Sequence, residues 1–102
     1  MVHVLATVEV LPGKRGEFLK EFKKVVPDVH REKGCIEYGP TVDMLTDIPV
    51  PVPLRDNVVV IIEKWESLDD LKAHLAAPHM KSYRKAVKDL VKGMQVQILK
   101  PA

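Results

Sequence analysis

Five consecutive apolar residues, Val58 to Ile62, run directly into Glu63-Lys64-Trp65 and then into a Ser-x-x-Asp turn. A β-branched run of this length reads as a strand, and its continuity predicts burial on both faces. Alternation along it sets Ile61, Glu63 and Trp65 on one side and Val60, Ile62 and Lys64 on the other. Ser67, three residues before Asp70, is placed to cap a helix reaching about Ala77, with Leu71, His74 and Leu75 on its buried face. Pro78 then interrupts the helix and restarts it, since proline suits a first helical position. A strand that brings Glu63 and Trp65 to the mouth of a helix holding His74, with His79 at the break, forms the floor and wall of a small-molecule pocket.

The flanking segments fit around this unit. Val2 to Leu11 alternates, with Val2, Val4, Ala6, Val8 and Val10 on one face, and Pro12-Gly13 ends it. From Lys14 to about Glu32, Phe18, Phe22, Val25 and Val29 recur at helical spacing. Pro27 is expected to kink that helix near Lys23 or Lys24 or to divide it, and Gly34 to close it with a left-handed residue. Cys35 to Asp43 reads as a second strand whose irregularity at Gly39-Pro40 places it near an edge or a bulge. Residues 44–56 form a long loop in which Pro49, Pro51 and Pro53 alternate with valines and enforce an extended path, and those valines call for a cover, either the pocket or a partner subunit. The restarted helix carries Met80, Tyr83, Val87, Leu90 and Val91 as its buried stripe and stops at Gly93. Met94 to Leu99 alternates again as a closing strand.

The resulting order, β, α, β, long loop, β, broken α, β, predicts an α+β domain of the ferredoxin-like split βαβ type, an antiparallel sheet with helices on one face. With 102 residues the chain fits one domain spanning 1–102. The other sheet face, also apolar, predicts a homodimer packed sheet to sheet about a two-fold axis. A net charge of +2 and few aromatics speak against a nucleic-acid surface. No apolar run approaches the roughly 18 residues that span a bilayer, so no membrane partner is expected. The single cysteine, Cys35, excludes an intramolecular disulfide and suits a reducing cytoplasm.

Several residues could carry chemistry. His74 and His79 are candidate general bases, because an imidazole titrates near neutrality; the alternative for each is a structural ring bonded to a backbone carbonyl. Their spacing of five does not match the i, i+4 pairing that sets two imidazoles on one metal, and no Cys/His cluster supports them, so no metal is expected. Glu63, in a strand fit for burial, is either a base raised by desolvation or, as the favoured reading, the partner of an edge lysine. Trp65 could wall a flat aromatic ligand or fill the core. Tyr38 and Tyr83 could turn their hydroxyls into a pocket or be core rings with wet tips. Cys35 reads as a small buried apolar residue. No glycine-rich phosphate loop, nucleophile elbow or dinucleotide fingerprint is present, so no bound cofactor is indicated.

The segments EKGCIEYGPTVD (32–43), IIEKWESLDDLKAHLAAPHMKSY (61–83) and the closing MQVQIL together resemble the antibiotic biosynthesis monooxygenase family. The resemblance covers nearly the whole chain, Pro27 included, and only the Pro/Val loop departs from it. It implies a dimeric α+β barrel with a cavity between sheet and helices, and oxidation of aromatic or quinol substrates by dioxygen without metal or flavin. It places His74 and His79 at the family's histidines, Glu63 and Trp65 in its E-x-W segment and Tyr38 in its G-C-x-x-Y segment. Haem-degrading members use a different set, and this chain has Thr7, His74 and Arg84 at those places, which sets it apart from them.

The expected activity is therefore cofactor-independent oxidation of a quinol or related hydroxylated aromatic. His74 or His79 would take the phenolic proton, Tyr38 or Tyr83 would donate to the quinol oxygen, and Glu63 and Trp65 would help bind the ring. An isomerase or small-carbonyl enzyme on the same barrel, or a quinone-binding barrel without turnover, are the rival expectations.

Overall fold

The computed structural model describes residues 1–49 and 53–102. Its elements are β1 (Val2–Val10), α1 (Arg15–His30), β2 (Cys35–Thr41), β3 (Val58–Trp65), α2 (Leu68–Leu75), α3 (Pro78–Val87) and β4 (Val91–Leu99). The four strands form one antiparallel sheet in the order β2-β3-β1-β4, the ferredoxin-like arrangement. Alternation in β1 sends Val4, Ala6, Val8 and Val10 under the helices, where they meet Val59, Ile61 and Trp65 of β3 and Phe18, Phe22 and Val29 of α1. No helix among the described residues is long and apolar enough to cross a membrane.

Several boundaries depart from expectation for physical reasons. Pro27 does not divide α1, which runs unbroken for 16 residues. Pro27 is exposed, so water can solvate the carbonyl that loses its amide partner. The helix ends at His30 rather than near Glu32, and its closing bonds run from Arg31 N–H to Asp28 O and from Glu32 N–H to Val29 O. Gly34 does adopt a left-handed conformation, φ +80°, but as the last residue of the turn into β2. A Cβ there would run into the Asp70 carboxylate, so only glycine lets this turn dock on α2.

β2 ends at Thr41, and its irregularity falls between Cys35 and Glu37 rather than at Gly39-Pro40. Pro40 is tolerated because β2 is an edge strand paired on one side only. β3 buries Val59, Ile61, Glu63 and Trp65, while Val58, Val60, Ile62 and Lys64 opposite are only half-buried in the single chain. The expected burial on both faces thus holds for one face. At the other end α3 stops at Val87 and β4 begins at Val91, so Gly93 lies within the strand instead of ending a helix. Pairing with β1, through Val10 to Val91 and Glu9 to Gly93, captures these residues at a register shift.

The loop between β2 and β3 is tied at its base. Arg55 donates from Nε and Nη2 to the two Asp43 oxygens at 2.8 Å each, and Arg15 Nη1 donates to Arg55 O at 3.2 Å. The side-chain and backbone bonds from Arg55 hold the Asp43 carboxyl down at about 2. Beyond that clamp Met44, Leu45, Ile48 and Leu54 are exposed, so the described part of the loop does not lie over the pocket of its own chain. The Val50-Pro51-Val52 portion of the expected extended path lies outside the described residues.

Candidate active site

A cavity of about 150 Å³ sits between the sheet and the α2–α3 pair. Val4, Ala6 and Ile61 form its floor, and His74, Tyr38, Glu63, Tyr83 and Arg84 supply its polar groups. Met94, Val96 and Ile98 of β4 extend the floor outward; all three are exposed, so the cavity opens on that side. The volume lies below the roughly 300 Å³ at which sites for drug-sized ligands begin, which suits one or two fused rings.

Local sequence puts His74 there. Ser67 Oγ accepts from Asp70 N–H at 3.1 Å and its hydroxyl donates to the Asp70 carboxylate at 2.9 Å, which starts α2 as expected from the cap. The start sets the phase: Leu71 and His74, one turn apart, face inward. Leu75, expected on the same face, is 49% exposed instead, because α2 ends there and the residue sits at the open rim of the cavity. Pro78 opens α3 as its first residue.

His74 is 1% exposed. Its ring lies 4.6 Å from the Trp65 ring and meets Tyr38 edge-on at 5.3 Å. Nδ1 is 2.9 Å from Glu32 Oε2, and Nε2 is 3.9 Å from Glu63 Oε1. Glu63 does not pair with an edge lysine as favoured from sequence; it accepts from Trp65 Nε1–H at 3.0 Å, and it is Glu37 that approaches Lys64, at 3.5 Å. Trp65 is fully buried behind His74 rather than on the cavity surface.

His79 lies elsewhere. It lines a groove of about 360 Å³ between α1 and α3, with Glu21, Lys24, Asp28 and Ser82. Its Nε2 is 2.8 Å from the same Glu32 oxygen that holds His74. Glu32, absent from the sequence-based candidates, therefore joins the two histidines. Tyr83 lines both the groove and the cavity. Among the described residues no group of three or more His, Cys, Asp or Glu side chains is arranged to hold a metal ion.

Burial sets the electrostatics. Desolvation, reinforced by Glu63, pushes the Tyr38 and Tyr83 phenols well above their ordinary range, so both remain hydrogen-bond donors at neutral pH. Burial raises the Cys35 thiol too, with Glu32 and Glu63 adding to the effect, which leaves it a poor nucleophile. Desolvation also lifts Glu63 above its ordinary 4.5, although Trp65 and His74 pull the other way. A raised folded-state value means the native protein holds this proton more tightly than the unfolded chain. The resulting stabilisation is full below pH 4.5 and is lost as pH rises through the folded-state value. Glu63→Gln, which keeps the acceptor for Trp65 and cannot ionise, is accordingly expected to melt at a progressively higher temperature than the parent from pH 4.5 upward. Melting curves between pH 4.5 and 8 check this, and a constant difference would contradict it.

Comparison with known proteins adds to this geometry. The family model described as antibiotic biosynthesis monooxygenase matches residues 1–86. A curated relative, "Probable quinol monooxygenase YgiN" of Escherichia coli strain K12, is 42% identical over 103 residues, covering 99% of this chain and 98% of that protein. A conserved protein from Methanosarcina mazei Go1 superposes with a TM-score of 0.84 at 22% identity, over 99% of this chain and 92% of that one. Rv0793 from Mycobacterium tuberculosis does so at 0.80 and 24%, over 99% and 94%. These two structural likenesses bear on the fold.

Proposed function

The chain belongs to the antibiotic biosynthesis monooxygenase family, and from that premise we propose that this monooxygenase oxidises a quinol or a related hydroxylated aromatic with dioxygen. The observation that carries the reading is the small, largely apolar cavity whose lining includes a buried imidazole and two protonated phenols. The relative named as a quinol monooxygenase, matched along nearly its whole length, supports the choice of substrate class.

His74 is the residue placed to act as general base on this reading, since it lines the cavity and His79 does not. It takes the phenolic proton, and the electron pair of the broken O–H bond stays on the oxygen. Tyr38 and Tyr83 donate to the quinol oxygens, and the apolar floor excludes water from the anion. The quinolate passes an electron to dioxygen, and recombination forms a carbon–oxygen bond. One atom of dioxygen remains on the ring of a hydroxylated quinone and the other leaves as water with the two quinol hydrogens. The reaction needs neither metal nor flavin, because the quinolate itself is the electron donor.

The working unit proposed is a homodimer. The sheet face away from the helices carries Leu5, Val58, Val60 and Ile62, all half-buried in the single chain, and a second copy would cover them. A cytoplasmic setting, in which Cys35 stays reduced, fits the same reading.

Oxygen uptake by the metal-stripped protein with a reduced naphthoquinol, measured against autoxidation, tests the activity. Acceleration is expected. Quinone binding without acceleration would favour a binding barrel, and turnover of the ligand without oxygen use an isomerase.

A further inference from the structure

We infer that Glu32 is a positioning residue that holds His74 in the one tautomer able to act on a ligand in the cavity, and that His79 acts through Glu32 rather than as a second base. The inference about chemistry rests on the reading of His74 as the base; the inference about the tautomer does not.

A single oxygen, Glu32 Oε2, lies 2.9 Å from His74 Nδ1 and 2.8 Å from His79 Nε2. An ionised carboxylate only accepts hydrogen bonds, so each ring presents an N–H to it. His74 then bears its hydrogen on Nδ1 and a bare lone pair on Nε2. The nearest carboxylate to Nε2, Glu63 Oε1, is 3.9 Å away, too far for a hydrogen bond. The lone pair is left for a ligand hydroxyl. When Nε2 takes that proton, the imidazolium formed keeps its Nδ1–H on Glu32, whose charge offsets the new one. This is the orienting role that a buried acid plays toward a catalytic imidazole.

Glu32 is itself fixed by backbone rather than left to a mobile side chain. Its N–H donates to Val29 O at 3.0 Å, its carbonyl accepts from Cys35 N–H at 3.3 Å, and Gly34 O accepts from Glu66 N–H at 2.9 Å. Gly34 lies flush against Asp70 of the capped α2 start. The turn carrying the acid and the helix carrying the imidazole are thereby locked together. The second donor, from His79, holds the same carboxylate oxygen. The His79 side chain is 26% exposed and faces Glu21, Lys24 and Asp28 of α1, not the cavity.

Imidazole nitrogen NMR and steady-state kinetics test this together on the full-length protein. The parent His74 is expected to give the signature of a ring protonated at Nδ1 and bare at Nε2. Glu32→Ala is expected to redistribute that proton and to lower kcat for naphthoquinol oxidation roughly 100-fold with KM little changed. Glu32→Gln, nearly isosteric, loses the charge and can offer its amide N–H to Nδ1, which favours the other tautomer, so it should lose at least as much kcat as the alanine variant, up to about 10⁴-fold. Glu32→Asp should recover part of the rate. A parent His74 protonated at Nε2, or full parental kcat in Glu32→Ala, would overturn the inference. If the parent protein turns over no quinol, the functional reading fails while the tautomer signal still decides the role of Glu32.

Discussion

Changing His74 to glutamine is expected to lower kcat for quinol-dependent oxygen uptake by about 10²- to 10⁴-fold, the range over which a positioned general base contributes. Glutamine fills much of the space of the imidazole and can bond to Glu32 or Glu63, but its amide cannot accept the phenolic proton at neutral pH. His74 is the imidazole that lines the cavity, with Nδ1 held by Glu32 and, among the described residues, no hydrogen-bond partner on Nε2. The bound quinol would then have to give up its proton without an imidazole lone pair held against it in the cavity. Quinone binding, followed by quenching of Trp65, should survive within a few-fold, because Val4, Ala6 and Ile61 are untouched. Parental kcat in a folded His74→Gln protein would contradict the assignment. A loss of binding equal to the loss of rate would make His74 a binding residue.

The largest effect on stability is expected at Phe22, and it links the fold to the site. Phe22 is fully buried on α1. Its ring stacks on Tyr38 of β2 at 5.3 Å and 16°, meets Tyr83 of α3 edge-on at 5.6 Å and 81°, and lies 6.1 Å from Phe18. One ring thus supports both phenols that line the cavity. Phe22→Ala removes it and leaves a void that three elements would have to collapse around, a change that costs about 3–5 kcal/mol. Against a total of roughly 5–15 kcal/mol for a domain of this kind, that is a large share. Urea denaturation should show a much lower midpoint. Phe22→Leu, which keeps most of the volume, should lose less and retain more activity. A loss of unfolding free energy below about 1 kcal/mol for the alanine variant would mean that the aromatic cluster is not what holds α1 to the pocket wall.

Much of the architecture is legible from spacing alone, and the reasons are local. Alternation in Val2 to Val10 sorted the strand's two faces, the three- and four-residue spacing of Phe18, Phe22, Val25 and Val29 named the buried face of α1, and Ser67 with Asp70 marked the start of α2. Pro78 marked the start of α3 for an equally local reason, its missing N–H and fixed φ. Where tertiary pairing decides, the spacing misleads. Val91 continues the helical stripe of α3 in sequence, yet it is taken by β1 as the first residue of β4. Gly34 carries the left-handed signal of a helix end, but its conformation answers to Asp70 on another helix.

The same limit explains the site. His74, Tyr38, Glu63 and Tyr83 were candidates because a polar or aromatic side chain on a buried face stands out against its apolar neighbours, and the fold gathers all four around one cavity. Glu32 gave no such signal. It follows a helix in a charged stretch, Arg31-Glu32-Lys33, where an acid is ordinarily solvated. Its partners lie 42 and 47 residues away, a separation that no periodicity connects. His79 raised the opposite problem: the sequence paired it with His74, whereas the helix restart at Pro78 turns it toward the α1–α3 groove.

The most direct test of monooxygenation is isotopic. Turnover of a reduced naphthoquinol under ¹⁸O₂, with the product analysed by mass spectrometry, is expected to give a hydroxylated quinone carrying one ¹⁸O atom and labelled water in equal amount. An unlabelled quinone, with the isotope recovered as hydrogen peroxide, would make the protein an oxidase rather than an oxygenase and would contradict the proposed reaction.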